Sequence, residues 1–186
     1  MTKETLEQRG FVPRDKTISM YKANIYALFT LPVAAVGYII FALRWGWGFA
    51  IPVQEMLLLA VCLAAGIVVH EFFHGFVWQF FCDERWKGVR FGVAKELLTP
   101  YCHCKEVLTL NQYRLGVIMP CLMTAVIPYT IAYMVGSRWL MILGLVMFIA
   151  AGGDLTMLAL LKSERNPTLV VDHPNLCGCI LYDKKI

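Results

Sequence analysis

Four apolar runs, each bounded by charge, dominate the chain. Residues 23–43 lie between Lys22 and Arg44, and residues 56–82 between Glu55 and Asp83. Residues 115–137 separate Arg114 from Arg138, and residues 139–161 separate Arg138 from Lys162. Each run reaches the roughly 20 residues that a helix needs to cross about 30 Å of hydrocarbon. Open sheets would leave edge groups unpaired in lipid, so the runs predict helices. Pro120 and Pro128 fall inside the third run and should bend that helix without ending it. In the polar stretch between the second and third runs, Val89, Phe91 and Val93 alternate with Arg90, Gly92 and Ala94, a short strand signal. The segment KEVLTL (105–110) is its expected partner. The predicted fold class is an all-α integral membrane protein of about four transmembrane helices, with a small cytoplasmic β hairpin between helices 2 and 3.

Composition supports this. Hydrophobic residues make up 59% of the chain and charged residues only 16%, against roughly 25% charged in soluble domains. Mean hydropathy is +0.61. Of the 17 lysines and arginines, all but Arg44 and Arg138 fall in residues 1–22, 83–114 or 162–186. The positive-inside rule then puts both termini and the central loop in the cytoplasm, in a multi-pass protein of the plasma membrane. The net charge of +4 is a topology signal and gives no reason to expect a nucleic acid partner; the bilayer is the expected partner. The organisation is an arm (1–22), a four-helix domain (23–162) and a tail (163–186). The arm is polar and contains no cleavable leader, so the first span reads as a retained signal-anchor.

The second run contains three ionisable groups, in the stretch VVHEFFHGFVW. His70 and His74 are one helical turn apart and can offer two imidazole nitrogens to one metal ion, while Glu71 can reach a water on that metal. H-E-x-x-H on a helix is the zinc-peptidase arrangement with glutamate as general base. Ionisable residues in lipid are costly and read as functional by default. Their plainer use is hydrogen-bonded contact between helices, but such contact requires no fixed order of His, Glu and His.

A catalytic zinc takes three protein ligands and leaves a fourth position open. In FIAAGGDLTML the fourth run carries one acid, Asp154. His74 and Asp154 each lie about eight residues from the cytoplasmic end of their run, at roughly 12 Å depth. Gly152 and Gly153 would let helices approach closely there. Asp154 could instead pair with a hydroxyl such as that of Thr156. His103, Asp172 and His173 are further candidate ligands from cytoplasmic segments.

These stretches, with VRFGVAKELLTPYCHCKEVLTL between them and the tail around VVDHPNLCG, resemble the membrane-embedded zincin peptidase family, a compact relative of site-2 protease-type intramembrane metalloproteases. The resemblance covers about residues 61–182. It implies zinc (Zn2+) held by His70, His74 and Asp154, Glu71 as catalytic base, and a membrane protein or peptide as substrate. Site-2 proteases carry leucine–aspartate–glycine preceded by asparagine and prolines. Here the glycines precede Asp154, so no oxyanion donor carries over; Asn111, Thr124, Tyr129 and Tyr133 are the candidates. Arg90, Phe91, Gly92 and Asn111 are the candidate substrate-binding residues, the first three on a sheet edge that could take an extended peptide by strand addition.

Seven cysteines include two C-x-C pairs, Cys102/Cys104 and Cys177/Cys179. Their spacing is not the C-x-x-C of structural zinc sites, and they read as reduced thiols. Two rival functions share the metal ligands: a catalytically silent metal-binding membrane protein that acts on partners, and a metal transporter. An intact Glu71 argues against the first. The wholly apolar outer half of the second run argues against the second.

Overall fold

The first three apolar runs become continuous helical spans, and the fourth is broken. A computed structural model describes residues 3–94, 99–165, 168–173 and 177–184. Lys95 and Lys185, counted above among the cytoplasmic charges, lie outside the described residues, as does the side chain of Cys177. The elements run α1 (Lys3–Gln8), β1 (Phe11–Ile18), α2 (Met20–Ala27), α3 (Thr30–Trp45) and α4 (Val53–Trp78). After them come β2 (Val89–Ala94), β3 (Thr99–Cys104), β4 (Leu108–Thr109) and α5 (Leu110–Pro120). The chain ends with α6 (Ile127–Val135), α7 (Arg138–Ala150), α8 (Gly152–Leu161), β5 (Leu169–Asp172) and β6 (Cys177–Lys184).

Three helices are long and apolar enough to cross a membrane: Tyr21–Trp45, Val53–Trp78 and Leu110–Val135. The third stays continuous across its prolines through a π-helical turn, Cys121–Val126. The fourth run bends by 46° between α7 and α8, because Ala151 leaves helical geometry (φ −73°, ψ 5°) ahead of the flexible pair Gly152–Gly153. Counting that pair as one span gives four. Large side chains such as Leu43, Leu57, Val61, Val68 and Met134 stay exposed on these helices, as expected where the solvent is lipid.

The all-α expectation is overturned. The protein is mixed α and β, with a four-stranded antiparallel sheet in the order β1-β6-β5-β4 and a separate two-stranded hairpin, β2-β3. The hairpin expected at Val89 exists, but its second strand is Thr99–Cys104, with Phe91 opposite Cys102. KEVLTL instead contributes Leu108–Thr109 to the larger sheet, opposite Val170 and Leu169. The larger sheet escaped notice because its strands lie far apart in sequence: β1 pairs with β6 from Phe11↔Lys184 to Ile18↔Cys177. Its core holds Leu108, Val170, Cys179 and Leu181, which pack with Trp78, Tyr113 and Leu161 from the helix ends.

Charge fixes the sheet to the helices. Arg14 on β1 donates to both Glu164 oxygens, at 3.0 and 2.7 Å, and to Asp183, and Lys16 lies 2.9 Å from Glu164. Arg114 donates to the carbonyls of Leu161 and Glu164, which closes the C-terminal end of α8. The hydrogen bonds from Arg14, aided by Lys16, hold the Glu164 carboxyl at about 2, below its ordinary 4.5. A depressed carboxylate adds stability that is complete above pH 4.5 and is lost as the pH falls through about 2. Glu164→Gln should therefore lower stability near neutral pH by about 1 kcal/mol. In thermal unfolding of the detergent-solubilised protein, that difference from the parent should vanish as the pH approaches 2.

Candidate metal centre

His70 and His74 lie on the buried face of α4, which continues through Trp78, because positions four apart share a helical stripe. Their rings sit 5.1 Å apart and nearly perpendicular. The break at Ala151 starts a new helix, and Asp154 occupies its first turn, where helix dipoles favour negative charge. The sequence had suggested a mid-helix position. Asp154 meets both imidazoles: His70 Nε2 is 2.9 Å from Oδ2 and His74 Nε2 is 3.3 Å from Oδ1. Glu71 is half-buried beside them, and the ligand atoms of His70, Glu71 and His74 lie within 4.8 Å of one another. Among the described residues this is the one such group of potential metal ligands.

The surroundings hold these side chains in place. His74 Nδ1 is 3.0 Å from the Gly116 carbonyl, which can only accept, so Nδ1 carries a proton and Nε2 is the nitrogen turned towards Asp154. Trp78 stacks on His74 at 5.3 Å and 19° and on Tyr113 at 5.4 Å and 17°. Its indole N–H donates to the Tyr113 carbonyl. The Cys102 backbone amide, on β3, faces the Glu71 carboxylate. Gly152 lets α8 press against Ala27, whereas Gly153 faces open space. The Thr156 hydroxyl donates to Gly152 O at 2.8 Å, so it is not the partner of Asp154.

The donor set fits zinc. A tetrahedral ion with bonds near 2.0–2.1 Å keeps its ligand atoms about 3.3 Å apart, and both imidazole–carboxylate separations are close to that. Imidazole N–H groups can donate to the carboxylate across these distances, and a zinc ion can take the place of those protons. His70 Nδ1 is buried and unpartnered among the described residues, so nothing there fixes which of its nitrogens holds a proton.

The other expected residues divide. Phe91 packs on Gly75 of α4, one residue past His74, and Tyr101 covers Gly92. Arg90 is exposed opposite His103. Asn111 is exposed in the first turn of α5, with no described contact to the site. His103 and Asp172 pair with each other at 3.1 Å, while the backbone of His173 bonds Gly178; none of the three joins the histidine pair. Of the candidate oxyanion donors, Thr124 is spent on Pro120 O and Tyr129 on Gly37 O. Burial pushes the thiols of Cys102 and Cys104 well above their ordinary value and that of Cys179 up to about 12. Such thiols are poor metal ligands and weak nucleophiles.

Residues 63–169, more than half of the chain, match a family described as "Putative zincin peptidase". The chain belongs to that family. Zincin chemistry makes zinc its cofactor and makes this protein a zinc metallopeptidase by kinship. No curated protein and no solved structure matches the chain. The matched region contains both histidines, Glu71 and Asp154, together with the hairpin of this zincin.

Sequence reasoning missed the supporting partners Gly116, Trp78, Tyr113 and the Cys102 amide. Trp78 was visible as the next step of the 70–74 stripe. The others act through backbone atoms or long-range contact and have no local signature. Gly75 is a tight seat in this shell, since a Cβ there would run into Phe91 and Val89. Gly75→Ala should cost about 1–3 kcal/mol by overpacking. It should also loosen the hairpin, read as lower thermal stability and faster hydrogen exchange at Phe91 with zinc retained.

Proposed function

We propose that this zincin hydrolyses peptide bonds in membrane or membrane-proximal protein segments, with His70, His74 and Asp154 as the zinc ligands and Glu71 as the base. The observation that carries this reading is the convergence of two imidazole nitrogens from α4 and one carboxylate from α8 in an apolar interior, with Glu71 alongside. Bound zinc supplies Lewis acidity: it brings the pKa of water from about 15.7 towards 7 and polarises a carbonyl oxygen. The protein's own groups do the rest. His70, His74 and Asp154 hold the ion and leave one position open. Glu71 takes the proton of the attacking water on its carboxylate and passes it to the departing amine. The Cys102 amide keeps that carboxylate aimed while it waits.

The hairpin supports substrate capture in an extended form. Lys105 N–H donates to Gly88 O at 2.8 Å, and antiparallel alternation then turns the amides of Phe91 and Val93 off the outer edge of β2, while that of Val89 is spent on Trp86 O. β3 has less to offer: position 100 is proline, Cys104 N–H is on Asp172, and Cys102 N–H faces Glu71. An extended peptide would pair with the β2 edge under the rings of Phe91, Trp86 and Phe72, which contact one another at 5.8–6.4 Å.

The membrane setting belongs to the same proposal. Residues 11–18, 108–109, 169–172 and 177–184 form one sheet, so the arm, the central loop and the tail share one side of any bilayer. The lysine and arginine bias makes that side cytoplasmic. The two exceptions sit together at the opposite end. Arg44 stacks on Trp45 and Tyr133 at 5.3 and 5.1 Å, and Arg138 reaches the Trp45 carbonyl. A cytoplasm-facing site in a membrane-spanning bundle is the setting that a kinship with site-2 proteases would imply.

Two experiments test this. Glu71→Gln should keep zinc and lower cleavage by about 100- to 10,000-fold. Comparing membrane-protein fragments in cells that express the parent or the variant reads this out, and identical fragment sets would sink the peptidase reading. His74→Ala and Asp154→Asn should each reduce bound zinc from about one per chain towards none, measured by elemental analysis of the purified protein. Retention of zinc by both variants would remove them from the ligand set.

A further inference from the structure

In an α-helix the amide of each residue donates to the carbonyl four positions back. Pro120 has no amide hydrogen, so the carbonyl of Gly116 lacks its regular donor. The following residue does not supply one, because Cys121 N–H goes to Ile118 O. The vacancy is filled from another helix: His74 Nδ1 donates to Gly116 O at 3.0 Å, in a buried contact between residues 42 apart in sequence.

Position 116 contributes a second condition. Any Cβ there would overlap the Trp78 indole, which itself lies flat against His74. Glycine therefore lets the α5 backbone come close enough for its carbonyl to reach an imidazole on α4. A carbonyl fixes a proton on Nδ1, and Nε2 then faces Asp154 Oδ1 at 3.3 Å. His70 has no such partner for its Nδ1 among the described residues, so one of the two imidazoles is set in advance by the fold and the other is not.

We propose that Pro120 is a positioning residue: by withholding an amide it reserves the Gly116 carbonyl for His74 and so sets the tautomer that offers Nε2 to zinc. The role rests on the zinc reading above, but its first signature does not need the metal. Hydrogen bonds behind a metal-ligating histidine fix its tautomer, and their loss typically costs about 10- to 100-fold in metal affinity. Pro128 is the internal control. It occupies the first turn of α6, where a missing amide deprives no helical carbonyl that serves the site.

The test uses the full chain in detergent with 15N-labelled histidine. In the metal-free parent, NMR should show His74 carrying a proton on Nδ1; a bare Nδ1 overturns the proposal without any variant. Pro120→Ala returns an amide that competes for the Gly116 carbonyl. It should mix the His74 tautomers and weaken zinc about 10-fold or more in chelator competition, with the thermal midpoint unchanged or raised. Pro128→Ala should leave tautomer and affinity as in the parent. An unchanged tautomer and affinity in Pro120→Ala, while the parent binds zinc, overturns the role of Pro120. Failure of the parent to bind zinc would instead remove the zinc reading, with the tautomer result still standing on its own.

Discussion

Two imidazole nitrogens and a carboxylate oxygen face one another across 2.9–3.3 Å inside an apolar bundle. Groups with lone pairs turned inward repel, and burial removes the water that would screen them. A proton on the imidazoles or a metal ion among them relieves that repulsion, and the arrangement persists only if α4 and α8 cannot drift apart. Much of the surrounding architecture meets that second condition. Gly152 lets α8 sit against Ala27, Gly116 admits Trp78, and Gly75 admits Phe91. Arg114 ties the far end of α8 to α5. Small residues appear at the contacts because they let helix backbones approach closely.

Asp172 extends this restraint to the water-soluble layer. Its carboxylate accepts from Tyr113 OH at 2.8 Å, from Cys104 N–H at 3.2 Å, and lies 3.1 Å from His103. Through Tyr113 it reaches Trp78 and so the back of His74. Through β3 it reaches the Cys102 amide and so Glu71. One side chain on β5 therefore sets the position of α5 and of the hairpin together, and the metal ligand and the base are held from the same point. The four-stranded sheet is thereby a part of the site's support and more than an appendage to it.

How much of this was legible depended on the range of the signal. The H-E-x-x-H spacing is local, four residues on one helix, and it exposed the two imidazoles and the base directly. Asp154 was legible through depth, since two apolar runs with known ends place their ionisable groups on a common level. Its setting was not: the bend at Ala151 depends on packing of α8 against α2, and a hydropathy run carries no record of a 46° break. The four-stranded sheet was invisible for a related reason. β1 and β6 are short, largely polar on one face, and separated by nearly the whole chain, so neither shows the alternation of a half-buried strand. The hairpin fell between these cases. Val89–Ala94 alternates clearly, but Thr99–Cys104 reads as a cysteine motif, and KEVLTL imitates the partner it is not. Asn111 was chosen for its chemistry alone, and the fold leaves it at the surface.

The depth of the site and the breadth of the sheet belong to one physical compromise. A hydrolase must admit water, while a bundle stable in lipid must exclude it. His70 and His74 lie about one to two turns inside the C-terminal end of α4, the end that packs against the sheet layer. The hairpin covers this end of α4, with Phe91 packed on Gly75 next to His74 and Phe72, Phe76 and Trp86 in ring contact around it. An aromatic rim of this kind admits an extended apolar peptide more readily than bulk water. The amides of β3 nearest the base are already turned to carboxylates, Cys102 N–H towards Glu71 and Cys104 N–H towards Asp172. The strand that lies against Glu71 is thus paired with the one packed on α4 beside His74, so in the proposed reading loosening the hairpin would disturb water exclusion and base alignment together.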